Sequence, residues 1–254
     1  MTLTSHTPLA GVMGWPISHS LSPRVHSYWL KENGLDGAYV PLPVSPDNLE
    51  HALRALPKLG FRGVNLTVPH KERALSFLDY ISDVAARIGA VNTVFVSQDG
   101  ALSGTNTDAF GFLENLRRNA PQWNEARGPV VVLGAGGAAR AVVAALLDLD
   151  VVEIRLLNRT KEKADALAES LGGPINIIDW SEREDALDGS TLLLNTTTLG
   201  MVGQPRLELS LAALTKMAVV YDLVYAPLET ELLSTARSLG LSMVDGLGML
   251  FYQA

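Results

Sequence analysis

Residues 129–133 form a short apolar run, rich in β-branched valines, that leads directly into Gly134-Ala135-Gly136-Gly137-Ala138-Ala139-Arg140. An alanine-rich stretch follows to residue 149. No other feature restricts the fold so strongly. A strand of that composition is buried on both faces, as in a parallel sheet. The glycines allow a tight turn and let a helix pack closely on the strand. The string matches G-x-G-x-x-[G/A], which alone is a weak signal, because any glycine-rich turn can serve close packing. Here a strand precedes it and a helix follows. In that setting the helix N-terminus offers free N–H groups and the positive end of its dipole to a pyrophosphate.

The rest of the chain alternates strand-like and helix-like segments, the pattern of an α/β architecture. Strands are expected at 9–14, 38–44, 63–67, 91–97, 152–157, 175–178, 191–195, 218–222 and 241–244, in addition to 129–133. Helices are expected at 23–32, 47–56, 71–77, 83–88, 107–119, 138–149, 161–171 and 229–239. The polar stretch 119–128, with Pro121, is the best linker candidate. No internal repeat or low-complexity tract is present.

Composition excludes several classes. With 20 basic and 27 acidic residues the net charge is −7, which disfavours general nucleic-acid binding. Absence of cysteine removes disulfides, thiolate metal ligands and thiol catalysis. The five histidines form no HxxxH or HExxH pair, so no metal site is expected. Residues 1–8 lack a basic start followed by an apolar run, and no apolar stretch reaches the ~18 residues of a membrane span. A cytoplasmic protein with no membrane partner is expected.

Cofactor choice is read after the next strand. An NAD enzyme usually places Asp or Glu there to accept from the ribose 2′-hydroxyl. This chain has Asn158-Arg159-Thr160, with Lys163 a turn later. A guanidinium there suits a 2′-phosphate, so NADP(H) is expected. Arg159 could also be only a solvated surface residue.

The first half carries polar clusters. Ser20 and Ser22 lie near a helix start, where two hydroxyls can jointly donate to a carboxylate; Ser22 could equally cap the helix ahead of Pro23. Asn65 and Thr67 alternate, so they share a side of their strand, and Lys71 follows just past its end. A lysine near a helix start is electrostatically unfavourable, which invites a functional reading beside the plain one of a solvent-exposed lysine. Asn92 lies in a third cluster. Asp108 ends a fourth, where it is either a helix cap or the partner that holds a catalytic ammonium.

In order along nearly the whole chain stand GWPISHSLSP, NLTVPHK, GAVNT, GTNTD, GAGGAAR, NRT, DLVYAPLET and DGLGMLFYQ. On these strings the sequence closely resembles the shikimate dehydrogenase family. The resemblance implies an N-terminal α/β catalytic domain, residues 1–108 with 245–254, and a Rossmann-like NADP-binding domain, 109–244, with a substrate cleft between them. It implies NADPH-dependent reduction of 3-dehydroshikimate to shikimate, on the route to chorismate and the aromatic amino acids, by a monomer or homodimer. By position, Ser20 and Ser22 would bind the substrate carboxylate. Asn65, Thr67, Lys71, Asn92, Asp108 and Gln253 would contact ring hydroxyls or the ketone, with a further contact from Tyr225. Lys71 and Asp108 would be catalytic. Gly134, Ala135, Gly136, Gly137 and Ala138 would hold the pyrophosphate, and Asn158, Arg159, Thr160 and Lys163 the adenosine phosphate end. Asn195, Thr196 and Thr197 would line the cofactor site. Leu223, Gly246 and Met249 would lie near the nicotinamide half, and Asp83 is a weaker cofactor candidate.

Two departures from the family pattern stand out. Asn195-Thr196-Thr197-Thr198 replaces an Asn-Ala-Thr-Ser type string, a change that keeps hydroxyls. Family members also carry a helical tail after the position of Ala254, whose absence would weaken the placement of Gln253. Two rival readings are a quinate/shikimate dehydrogenase using NAD(P) and a non-catalytic NADP-binding sensor of the same fold.

Overall fold

The computed structural model describes Thr4 and residues 6–254, so the reading of 1–8 as free of a targeting segment falls partly outside the described residues. The chain divides into two compact units, 1–107 with 254, and 108–253.

The first unit is built on β1 (Leu9–Gly14), β2 (Ala38–Pro43), β3 (Phe61–Leu66), β4 (Tyr80–Ile81), β5 (Thr93–Val96) and β6 (Leu102–Thr105), with helices α1 (Ser22–Glu32), α2 (Leu49–Ala55) and α3 (Asp83–Ile88). Its sheet order is β2-β1-β3-β5-β6-β4. β1, β2 and β3 run parallel, β5 runs antiparallel between β3 and β6, and β4 pairs parallel with β6. Strand alternation divides the side chains between two faces. Met13, Val64 and Leu66 pack with Leu49, Leu53 and Leu56 on one face. Val12, Ile17 and Tyr39 pack on the other. Asn65, between Val64 and Leu66 and in register with Val12, belongs to that second face.

β4 and β6 have no counterpart in the sequence reading. β6 is Leu-Ser-Gly-Thr, too small and hydroxyl-rich to stand out, and forms because the Asp99-Gly100 turn folds it back on β5. The expected helix 71–77 is a 3₁₀ turn over Arg73–Phe77.

The second unit comprises α4 (Asp108–Asn119), β7 (Val130–Leu133), α5 (Gly137–Asp148), β8 (Ile154–Leu157), α6 (Lys161–Leu171), β9 (Ile175–Ile178), β10 (Leu192–Asn195), β11 (Val219–Asp222), α7 (Glu231–Ser238), β12 (Ser242–Val244) and α8 (Leu247–Gln253). Its sheet is wholly parallel, ordered β12-β11-β10-β7-β8-β9. This is the doubly wound order, and it reverses between β7 and β10. Val130 and Val132 face Phe112 of α4, Val142 of α5 and Leu167 of α6. Val131 and Leu133 face Leu232, Leu233 and Ala236 of α7.

Two expectations about segment placement differ from the structure. Residues 119–128 do not separate the units; Trp123 packs against the second unit's core and its indole N–H donates to Thr191 Oγ1 at 3.3 Å. Residues 245–253, expected with the first unit, lie in the second, where α8 packs on α4. A Cβ on Gly111 would come within 2.9 Å of Gln253 Cβ and of the Met249 carbonyl oxygen. The bare glycine therefore lets the two helix backbones touch, a contact that no sequence periodicity reports.

A buried carboxylate holds the loops at the sheet reversal. Asp222, fully buried at the end of β11, accepts from Asn195 Nδ2 at 2.9 Å, from the Val224 N–H at 3.0 Å and from Thr230 Oγ1 at 2.6 Å. Burial nevertheless pushes its carboxyl up to about 6, outweighing the three hydrogen bonds that favour the charged form. The folded state therefore holds this proton more tightly than the unfolded chain, whose value is 3.8. The group's contribution to stability is full below that value and is lost as pH climbs through about 6. Asp222→Asn cannot ionise, so urea unfolding from pH 3.5 to 7 is expected to show wild type losing about 3 kcal/mol relative to the variant. A constant difference across that range would contradict the assignment.

Candidate active site

In the first unit the polar clusters are joined by hydrogen bonds. Leu21, not Ser22, is the N-cap of α1, and no side chain caps the helix. Ser22 is its first residue, and its N–H donates to Ser20 Oγ at 3.3 Å. That contact uses a lone pair of Ser20 and leaves its O–H available to an incoming acceptor.

Tyr39, which sequence reading did not single out, reaches across β1. Its hydroxyl donates to Asn65 Oδ1 at 2.7 Å. Asn65 Nδ2 donates to Thr93 Oγ1 at 3.1 Å and the Asn92 carbonyl at 3.3 Å. Thr93 Oγ1 donates to Asn92 Oδ1 at 2.9 Å, and Asn92 Nδ2 donates to Thr107 Oγ1 at 2.9 Å. Tyr39, Asn65, Thr93 and Asn92 therefore belong to one continuous chain of hydrogen bonds.

Thr67 follows β3, with its N–H on the Met13 carbonyl at 2.9 Å. Its methyl group occupies the space where a Gly14 side chain would be, 2.5 Å from that missing Cβ. Lys71 is half-buried, and its carbonyl accepts the Val91 N–H at 2.8 Å, which anchors its backbone to the β5 approach. The neighbouring His70 is fully buried, with Nε2 2.8 Å from the Val44 carbonyl and Nδ1 without a partner. Burial holds this imidazole below its ordinary value, so it is neutral and donates from Nε2. Asp83 is exposed in the first turn of α3, where a carboxylate complements the helix dipole, and Ser82 caps that helix.

In the second unit, Asp108 is fully buried at the first residue of α4. Gly134 follows β7 with φ +111°, a conformation L side chains rarely adopt. A Cβ there would meet Thr196 Oγ1 at 2.5 Å. The turn after β7 thus lies directly against the loop after β10. Gly136 is the N-cap of α5, no side chain caps the helix, and a Cβ on Gly136 would meet nothing within 4 Å. This N-terminus has backbone donors and open space, the arrangement that receives phosphate. Asn158 Nδ2 donates to the Thr160 carbonyl at 2.7 Å and shapes the turn after β8. Arg159, Thr160 and Lys163 are exposed there, with Glu162 beside Lys163 in the first turn of α6 and no carboxylate at the three positions that follow β8.

The cofactor-side side chains differ in what they can offer. Asn195 donates to Leu199 and Asp222 and accepts twice from Thr197, through its N–H and Oγ1, so its amide is fully occupied within the protein. Thr196 Oγ1 donates to the Leu133 carbonyl at 2.7 Å. Asn195, Thr196 and Thr197 therefore shape the loop, and their hydroxyl and amide protons are already used. Leu223 and Gly246 pack backbone to backbone, Tyr225 is half-buried, and Met249 is in the core with Phe112 and Tyr221. Gln253 is half-buried at the last residue of α8. Asn115 pins this end of the unit, donating to Tyr221 Oη and the Asp245 carbonyl, each at 2.8 Å. Among the described residues no group of three or more His, Cys, Asp or Glu could hold a metal, and no helix is long and apolar enough to cross a membrane.

Comparison with known proteins agrees with this layout. Residues 12–94 match the shikimate dehydrogenase substrate binding domain, and residues 115–219 match the shikimate / quinate 5-dehydrogenase family. The shikimate dehydrogenase (NADP(+)) of Paramagnetospirillum magneticum is 58% identical over 246 residues, covering 97% of this chain and 89% of that protein. The shikimate dehydrogenase of Aquifex aeolicus superposes with a TM-score of 0.89 at 37% identity, covering 99% of this chain and 91% of that one. The Thermus thermophilus shikimate 5-dehydrogenase, solved with NADP(H) and shikimate, gives a TM-score of 0.83 at 40% identity over 97% of this chain and 90% of that one. With both family regions matched and this identity sustained over nearly its full length, the chain belongs to the shikimate dehydrogenase family.

Proposed function

We propose that this protein catalyses the reversible, NADPH-dependent reduction of 3-dehydroshikimate to shikimate, in the cytoplasm and as a monomer or homodimer. The observation that carries this reading is the setting of Lys71. A half-buried ammonium follows a strand end whose neighbouring side chains, Asn65, Thr67 and Asn92, are polar and uncharged. Uncharged amides and hydroxyls suit ring hydroxyls, and a cation suits an oxygen that gains negative charge. The Ser20 hydroxyl beside the uncapped start of α1 suits a carboxylate. The relative from Paramagnetospirillum magneticum carries the name of this activity, and the Thermus thermophilus structure holds both ligands.

The residues after β7 and β8 fit NADP(H): the α5 N-terminus would hold the pyrophosphate, and Arg159 with Lys163 the 2′-phosphate. NADPH, when bound, supplies the hydride. The protein's part is to hold the ketone and answer the charge that develops on its oxygen. Lys71 donates to that oxygen, and Asp108 is the proposed acid–base partner. Ser20, Ser22, Asn65, Thr67, Asn92, Tyr225 and Gln253 orient the substrate.

Lys71→Ala is expected to lower kcat by about two to four orders of magnitude with little change in KM for shikimate, followed as NADPH absorbance. A large rise in KM at unchanged kcat would make Lys71 a binding residue only. Arg159→Ala is expected to reduce the preference of kcat/KM for NADP+ over NAD+ by roughly tenfold or more, the worth of a charge-assisted contact. Equal efficiency with both cofactors in the wild type would refute the NADP assignment. Activity with quinate and NAD+ but not with shikimate would select the quinate reading, and none with either substrate the non-catalytic one.

A further inference from the structure

We propose that Tyr39 is a positioning residue for substrate recognition: its hydroxyl sets the polarity of a hydrogen-bond chain from Tyr39 to Asn92 and leaves Asn65 as a pure acceptor toward the ligand. This rests on the functional reading above, in which Asn65 contacts a ring hydroxyl.

The argument is an inventory of protons. A tyrosine hydroxyl has one. Tyr39 gives it to Asn65 Oδ1 at 2.7 Å. Asn65 has two N–H groups. They face Thr93 Oγ1 at 3.1 Å and the Asn92 carbonyl at 3.3 Å. A carbonyl cannot donate, so Asn65 cannot turn its amide over without setting two oxygens against each other. One lone pair of Oδ1 remains, and it can only accept from a hydroxyl. Thr93, having received from Asn65, donates onward to Asn92 Oδ1 at 2.9 Å, which also accepts the Thr107 N–H at 3.0 Å. The polarity thus runs one way from Tyr39 through Asn65 and Thr93 to Asn92.

Tyr39 is suited to hold that direction. Its side chain is buried with Val12 and Ile17, and the His26 ring stacks on it at 4.1 Å, 8° from parallel. Burial pushes its phenol above the ordinary value, and holds His26 below its own, so Tyr39 stays a protonated donor beside a neutral ring. Asn65 is the polar side chain bonded to it.

The test uses steady-state kinetics of the full chain with shikimate and NADP+. Tyr39→Phe removes one oxygen and keeps the stacked ring. It is expected to raise KM for shikimate roughly five- to tenfold, the worth of about one hydrogen bond, while KM for NADP+ and kcat stay within about twofold. In an Asn65→Ala background the same change is expected to alter KM for shikimate by less than about twofold, because the group through which Tyr39 acts is gone. An unchanged KM in Tyr39→Phe, or a full multiplicative effect in the double variant, overturns the proposal. If Tyr39→Phe does not fold, Thr93→Val breaks the chain on the other side of Asn65. The same rise and the same non-additivity are expected, and an unchanged KM overturns the proposal there too. Wild-type inactivity with shikimate would overturn the functional reading instead, and the same assay shows it separately.

Discussion

Asn195 stands at the end of β10 with both amide protons and both oxygen lone pairs occupied by Leu199, Asp222 and Thr197. A buried amide left unpaired would cost about 1–3 kcal/mol, so the loop after β10 has one low-energy shape. That shape sets Thr196 against the bare backbone of Gly134. The turn after β7 and the loop after β10 therefore meet at the sheet reversal, each shaped by partners inside the protein.

The same logic recurs in the other asparagines. Asn115 ties α4 to Tyr221 and to the Asp245 carbonyl, and so fixes where α8 begins. Asn92 binds β5 to Thr107 through both ends of its amide. Asn65 is nearly filled and keeps one lone pair. An amide offers two donors and an acceptor oxygen on a short stem, which makes it suited to fixing loops where chain direction changes. The consequence for function is selectivity of polarity: each site residue offers only what the network leaves over.

Much of the second unit was legible before any coordinates. A run of valines ending in glycines dictates a buried parallel strand and a tight turn, because local sterics and burial decide both. The exposed Asn158-Arg159-Thr160 turn was equally legible, since a side chain's charge does not depend on packing. The hydroxyl and amide clusters around Ser20, Asn65 and Asn92 announced a polar, hydrogen-bonding surface. Tyr39, Thr93 and Asp222 were not legible. Each reads as an ordinary strand residue, and its role comes from partners on other strands, 26 to 28 positions away.

Sequence by itself determined the α/β class, the family, the glycine turn and the chemical types present at the site, because these follow from side-chain chemistry and short-range periodicity. Tertiary structure alone decided that α8 joins α4 across Gly111, that residues 119–128 lie within the second unit, and which site amides are already satisfied. Those depend on which polar groups burial brings within about 3 Å of one another, a distance that spacing along the chain does not encode.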